Sequence, residues 1–294
     1  VRHLFSDSFL ASIDGLSVDI RPAPPRAPHG AHLSPRVGSS IEFRDYQSYT
    51  PGDDLRRVDW NVYARTRHLF VRRFEHPTSV PIFLLVDDSE SMRLETPSRY
   101  ATAARVAAAV AAAGLASQNP VYATIADGGG AALPRAVTGR RGLVRVLAEL
   151  ASDRPTAGIG VAAGISVLQP LLAAKGRGVL VIISDFFEPL GVQTLLESLR
   201  QTSQRLLLVR VTQPWDANPD LAGDFELADC ESGETAPVST DAEALRRYRE
   251  AYGSYFAAID GHVAQRGATQ HVIDASKETL PQLEPLFPGG VLSL

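Results

Sequence analysis

One stretch constrains this chain more than any other: Val80-Pro81-Ile82-Phe83-Leu84-Leu85-Val86-Asp87-Asp88-Ser89-Glu90-Ser91-Met92. The apolar run Ile82 to Val86 is bounded by Pro81 on one side and by acids and hydroxyls on the other, which predicts a strand buried on both faces. Such a strand belongs to a parallel sheet with helices on either side. The polar cluster then falls just past its carboxyl end, where open α/β sheets bind their ligands. Asp87, Ser89 and Ser91 alternate, so an extended turn aims their oxygens at one point. A carboxylate with two hydroxyls suits a hard cation such as Mg²⁺, which takes oxygen ligands and keeps several waters.

The rest of the chain supplies what a sheet of this kind requires. Arg99 to Ala116 is an alanine-dense helix introduced by Pro97 and Ser98, and Val121 to Ala126 a second strand. Ala131 to Val137 reads as a short edge strand, and Gly142 to Leu150 and Val161 to Leu172 as helices. Gly178 to Ile183 is another all-apolar strand, ending in Ser184 and Asp185. Leu190 to Arg200 is a helix and Arg205 to Val211 a strand. Alternation at these lengths predicts a doubly wound, mainly parallel α/β sheet covered on both faces. If the strands ending in Asp87 and Asp185 are neighbours, both acids and the serines share one crevice.

The pattern breaks after Val211. Residues 214–240 are read as an insertion: a loop with Trp215, then two short strands flanking Ser232-Gly233 as a hairpin. Asp241 to Gln265 is a long helix whose Tyr248, Tyr252, Tyr255 and Phe256 are read as core packing. A strand (Gln270 to Ile273) and a Pro-interrupted helix (Lys277 to Leu286) follow. At the other end, Phe5 to Ile20 is read as a helix, Pro22 to Gly30 as a linker, and Ile41 to Phe74 as a small, partly β substructure. The expected division is therefore an N-terminal segment over residues 1–78 and an α/β domain over 79–294.

Composition narrows the function classes. With 294 residues and 45% hydrophobic content the chain can bury a large core, and a net charge of −4 argues against general nucleic-acid or anionic-membrane binding. The one cysteine, Cys230, excludes an intramolecular disulfide framework and fits a reducing compartment. No apolar run resembles a signal peptide or a bilayer-crossing segment, so a cytoplasmic location is expected. The seven histidines show no metal-ligand spacing, and Cys230 has no histidine near it in sequence to mark it as a nucleophile.

Asp87-x-Ser89-x-Ser91, with a later strand ending in Asp185, resembles the metal-ion-dependent adhesion site of von Willebrand factor A domains, which are Rossmann-like. That resemblance implies a divalent ion held by Asp87, Ser89, Ser91 and Asp185, joined by a threonine from another loop and completed by a partner's carboxylate. This chain departs from the pattern in that loop, Thr156-Ala157-Gly158-Ile159-Gly160: the threonine position falls on Ile159, and Thr156 lies three residues earlier. A water can take the place of a neutral hydroxyl on Mg²⁺.

A second signature is more specific. Glu42-Phe43, Tyr49-Thr50-Pro51-Gly52-Asp53-Asp54-Leu55-Arg56, Val58-Asp59-Trp60 and Ala64-Arg65, leading into the acid-tipped strand, resemble the bacterial domain of unknown function 58. The resemblance implies a von Willebrand factor A-like domain, association with a MoxR-type AAA+ ATPase, and a chaperone-like maturation role toward a client protein. Asp53, Asp54, Arg56, Asp59 and Arg65, with Trp60, are read first as a structural network of hydrogen bonds and ion pairs, and second as a docking surface.

Two functions compete on these residues. The favoured one is a non-enzymatic, metal-dependent protein-interaction module, because Asp-x-Ser-x-Ser comes without an accompanying base or nucleophile. The alternative is a metal-dependent phosphate hydrolase, since acids after two strands also suit phosphoryl chemistry. Against it, the position two residues after Asp87 is Ser89 rather than a second acid, and Gly128-Gly129-Gly130 lacks the following Lys-Ser or Lys-Thr of a phosphate loop.

Overall fold

The computed structural model describes residues 4–20, 42–51, 55, 58–75, 79–94, 98–126, 133–152 and 159–293. The chain divides into two compact units, Ala23–Ser79 and the combination of Val1–Pro22 with Val80–Leu294. The chain begins with helix α1 (Asp7–Ile13) and strand β1 (Ser17–Asp19), both in the larger unit.

In the smaller unit, β2 (Glu42–Ser48) and β3 (Phe70–Glu75) pair antiparallel and flank helix α2 (Trp60–Thr66). The partly β character agrees with expectation; α2 is an addition. Its start is set by Asp59, a buried carboxylate that accepts hydrogen bonds from the amides of Asn61 (3.0 Å) and Val62 (3.2 Å). This satisfies donors that the first helical turn otherwise leaves open.

The larger unit continues with β4 (Ile82–Asp87), α3 (Glu90–Arg93), α4 (Arg99–Ala116), β5 (Val121–Ala126), α5 (Leu143–Leu150), α6 (Gly160–Lys175) and β6 (Val179–Ser184). Then come α7 (Val192–Arg200), β7 (Arg205–Thr212), α8 (Pro214–Ala217), β8 (Gly223–Ala228), β9 (Thr235–Thr240), α9 (Ala242–Arg266), β10 (Thr269–Asp274), α10 (Thr279–Leu283) and β11 (Val291–Ser293). The central sheet has the order β5-β4-β6-β7-β10, and every neighbouring pair is parallel. It is the doubly wound parallel α/β sheet expected. Because β4 has β5 on one side and β6 on the other, the order reverses between β4 and β6. That crevice is the topological switch point of the sheet.

Alternation along β4 builds two core layers. Ile82, Leu84 and Val86 face a layer shared with α1, α4, α5 and α10, while Phe83 and Leu85 face one shared with α6, α7 and α9. Burying each such side chain contributes about 1.5–3 kcal/mol, against a spread of about 1 kcal/mol for strand propensity. Burial, rather than propensity, therefore holds β4 at the centre. The alanines of α4 let it lie close to the sheet, and Gly114 shows how close: a Cβ there would stand 2.6 Å from Cδ1 of Ile82.

The expected boundary at residue 78 is corrected at its N-terminal side. Phe5, Phe9 and Ile13, spaced at one helical turn, bury their side chains in the layer containing α4. The stretch expected as one helix breaks after Ile13 and continues as β1, which pairs parallel with β11, Val18 opposite Leu292. The amide of Val18 also donates to the hydroxyl of Ser117 at 2.9 Å. An apolar stripe needs an apolar partner, and α4 supplies it. The Pro22 to Gly30 linker lies outside the described residues. Of the expected edge strand Ala131 to Val137, the described part makes only a single antiparallel bridge, Val137 to Val121.

The hairpin forms as expected, with Phe225 opposite Val238 and nearly all of its residues exposed. No helix among the described residues is long and apolar enough to cross a membrane.

The entry to β6 gives a sharp test of this packing. A Cβ on Gly178 would stand 2.3 Å from the carbonyl oxygen of Pro81, which is backbone and cannot swing aside. Gly178→Ala is expected to destabilise the protein by about 1–3 kcal/mol, measured as a shift in the urea unfolding midpoint at unchanged slope.

Candidate functional site

The site is built where β4 and β6 end side by side. Val86 lies opposite Ile183, so Asp87 and the Ser184-Asp185 pair emerge together at the switch point. One oxygen of Asp87 accepts from the amide of Ser89 at 3.0 Å, and the other from the hydroxyl of Ser184 at 2.5 Å. The hydroxyls of Ser89 and Ser91 are 3.0 Å apart. Oδ1 of Asp185 accepts from the amide of Phe187 at 3.0 Å, while its Oδ2 is buried without a hydrogen-bond partner among the described residues. The structure thus brings Asp87, Ser89, Ser91 and Asp185 together.

The turn after β6 is held in an uncommon conformation. Phe186 has φ 62°, a left-handed backbone that bulky residues rarely adopt. Its neighbours over-determine it: its amide donates to the hydroxyl of Ser184 at 2.7 Å, and its carbonyl accepts from the hydroxyl of Tyr255 at 2.9 Å. Tyr255 in turn accepts from the amide of Glu188 at 3.0 Å. Backbone strain of this kind, of order 1–3 kcal/mol, persists only where the surroundings enforce it, and it concentrates at functional sites.

Electrostatically the site is short of positive charge. Burial pushes Asp87 above its ordinary range. Burial, reinforced by the Asp87 carboxylate, pushes Asp185 up to about 7, opposed in part by the Phe187 amide, Arg99 and Ser91. Arg99 donates to the carbonyl of Ser91 at 3.0 Å and forms a buried ion pair with Asp216 of α8, so its charge is shared. Arg93 is bound to Asp88, with Nη2 2.7 Å from Oδ2. Among the described residues no three His, Cys, Asp or Glu side chains converge as a metal-binding group. The convergent oxygens are those of two aspartates and of serines.

Two further carboxylates border the cluster. Glu188 accepts from the amide of Ala162 at 3.0 Å at the start of α6, and burial, with Asp87 adding to it, raises its pKa. Glu231, in the turn of the hairpin, accepts from the amides of Ser91 at 2.9 Å and Glu90 at 3.3 Å. Neither was singled out from the sequence. Ser184 carried a signal, being a hydroxyl at the end of an apolar strand; Glu188 and Glu231 carried none, because only folding brings them to the site.

The other residues singled out are dispersed. Ile159 packs against the apolar layer of α6, α7 and α9 and offers no oxygen, and Thr156 lies outside the described residues. Asp53, Asp54 and Arg56 also lie outside them. In the smaller unit Asp59 caps α2, Arg65 is exposed with its Nε 3.5 Å from the carbonyl of Asn61, and Trp60 is 57% exposed and edge-on to Tyr63. On α9, Phe256 is buried and Tyr252 and Tyr255 are packed against the core, while Tyr248 is 42% exposed and donates to the carbonyl of Asp216.

Fold and site together define an α/β protein with a buried cluster of acids and hydroxyls at the switch point of a parallel sheet. The chain belongs to the family described as Protein of unknown function DUF58, whose profile matches residues 44–258. It is 35% identical over 222 residues to the uncharacterized protein Mb1516 of Mycobacterium bovis, covering 74% of this chain and 69% of that protein. The uncharacterized protein Rv1480 of Mycobacterium tuberculosis matches to the same extent, at 35% identity over 222 residues, with 74% and 69% of the two chains covered. Two solved structures are more loosely similar. An aerotolerance-related membrane protein from Bacteroides fragilis has a TM-score of 0.38 at 16% identity, covering 69% of this chain and 95% of its own. The conserved hypothetical protein BatB from Bacteroides thetaiotaomicron has 0.34 at 14%, covering 69% and 94%. Likeness at that level informs neither fold nor function.

Tyr255 ties the strained turn to α9, so its hydroxyl is testable. Tyr255→Phe leaves the amide of Glu188 without its partner and is expected to lower stability by about 1–3 kcal/mol, read by chemical denaturation with an unchanged far-ultraviolet circular dichroism spectrum.

Proposed function

We propose that this protein is a non-enzymatic protein-interaction module whose Asp87, Ser89, Ser91 and Asp185 hold Mg²⁺ or a similar divalent cation. The observation that carries the reading is the buried Oδ2 of Asp185, an acceptor without a hydrogen-bond partner among the described residues, beside a second buried aspartate. Two desolvated carboxylates without a dedicated countercharge among the described residues disfavour ionisation, and a hard cation with oxygen ligands would supply that charge. When bound, the ion offers a position that a partner's carboxylate can take. Ser184 orients Asp87 through its hydroxyl, and the Phe187 amide orients Asp185. Such outer contacts fix the direction of ligand oxygens.

Resemblance to the family's signature supports a MoxR-type AAA+ ATPase as the partner and a client protein as the object of chaperone-like assembly, in the cytoplasm. Phe187, 42% exposed just after Asp185, gives the rim of the site an apolar contact for such a partner. In the smaller unit, Asp59 serves the structure of α2, and the exposed Trp60 is the residue best suited to docking. A phosphate hydrolase is the less supported reading, because Ser89 stands where a general acid is needed and it shares its hydroxyl with Ser91.

Isothermal titration calorimetry with Mg²⁺ and with Mn²⁺ tests the site. The parent is expected to bind, and Asp87→Ala and Asp185→Asn to lose affinity by well over roughly tenfold while keeping a cooperative melt. A parent that binds neither ion overturns the metal reading. In the same buffers p-nitrophenyl phosphate is expected to stay unhydrolysed; turnover abolished by Asp87→Ala would establish the hydrolase instead.

A further inference from the structure

We infer that the β8–β9 hairpin is an intramolecular latch on this site: Glu231 stands where a partner's carboxylate docks and has to leave before a partner binds. The inference rests on the reading of the site as a receptor for a partner's carboxylate, and it names a competitor carried by the chain itself.

Three observations converge on it. Glu231 reaches across from a distant part of the chain to accept hydrogen bonds from the amides of Ser91 (2.9 Å) and Glu90 (3.3 Å), inside the Asp-x-Ser-x-Ser turn. It brings a carboxylate to the turn that follows the buried acid Asp87, next to the strand end where Oδ2 of Asp185 is buried without a hydrogen-bond partner among the described residues. A carboxylate near buried acids is unfavourable unless a cation or hydrogen-bond donors offset it, and here the amides of Ser91 and Glu90 are those donors. The place is therefore one that receives carboxylates.

The third observation is mechanical. Both strands of the hairpin are almost wholly exposed, Phe225 at 36% and Leu227 at 42%, so little apolar burial anchors it. A two-stranded ribbon without a buried face is marginally stable in water. Its turn, by contrast, is self-organised: the Asp229 carboxylate accepts from the amides of Glu231 (2.9 Å) and Ser232 (2.7 Å). The turn thus presents Glu231 in a set direction on an arm that is easily lifted. Low-stability elements of this kind are those that open without global unfolding.

The test uses Glu231→Ala in the full chain, an exposed substitution, with hydrogen exchange followed by mass spectrometry. Exchange at residues 89–93 and 223–240 is expected to rise by roughly tenfold or more, while β4 exchange stays unchanged and reports an intact fold. A synthetic peptide of residues 223–240 is then titrated in excess Mg²⁺. It is expected to bind Glu231→Ala at least roughly tenfold more tightly than the parent, whose site is already filled, and the same peptide carrying Glu231→Gln is expected to bind neither. If the parent binds Mg²⁺ but the peptide does not discriminate between parent and variant, the latch is overturned and the metal site stands. Faster exchange without peptide binding to the Mg²⁺-loaded variant makes Glu231 a simple cap on α3, and also overturns it. If the parent binds no metal, yet the peptide binds Glu231→Ala as expected, the latch stands and the metal reading fails. Absence of both kinds of binding overturns both.

Discussion

Two aspartates buried side by side at the ends of neighbouring strands set the terms for everything around them. Moving a carboxylate out of water disfavours its charge, and a second one nearby disfavours it further. The molecule answers with hydroxyls and amides: Ser184 and the Ser89 amide on Asp87, and the Phe187 amide on Asp185. One oxygen, Oδ2 of Asp185, has no hydrogen-bond partner among the described residues. The Arg99–Asp216 ion pair stands close enough to steady the turn, and Arg99 offsets only part of the upward push on Asp185. A core that merely needed stability would put apolar side chains here, and it is this departure that motivates the proposal of a ligand.

The sheet makes that arrangement rigid. Five parallel strands clamped between helical layers hold the ends of β4 and β6 in register, and the strained Phe186 turn is pinned to α9 by Tyr255. The N-terminal α1 and β1 wrap the same body, β1 closing against the last strand of the chain. By contrast, the hairpin that carries Glu231 has almost no buried face. A stiff sheet end and a loosely anchored arm are the two mechanical parts the proposed latch needs, and they are separated by 140 residues between Ser91 and Glu231.

Much of this was legible in the order of residues. Continuous apolar runs announce strands buried on both faces, so β4 and β6 and the acids at their ends are recognisable without coordinates. The alanine-dense α4 runs from Arg99 to Ala116 as its composition and its Ser98 cap predict. Boundaries were less legible where the partner of an apolar stripe lies elsewhere. Phe5, Phe9 and Ile13 look like a separate short helix until α4 is seen to receive them. Helix α2 was hidden because its main signal, the Asp59 cap, also reads as part of a charged signature.

By itself, then, the sequence determined the fold class, the family, and the residue types at one end of one sheet, since periodicity and local hydrogen bonding are written in neighbouring residues. Which acids share a crevice was decided only in three dimensions. Strand order placed β6 beside β4, and with that Asp185 beside Asp87. The chain's excursion through the hairpin brought Glu231 to the amide of Ser91, a contact for which no local pattern exists. Local interactions are set by spacing along the chain; contacts between distant segments are set by which surfaces can bury each other, and only the folded molecule makes that choice.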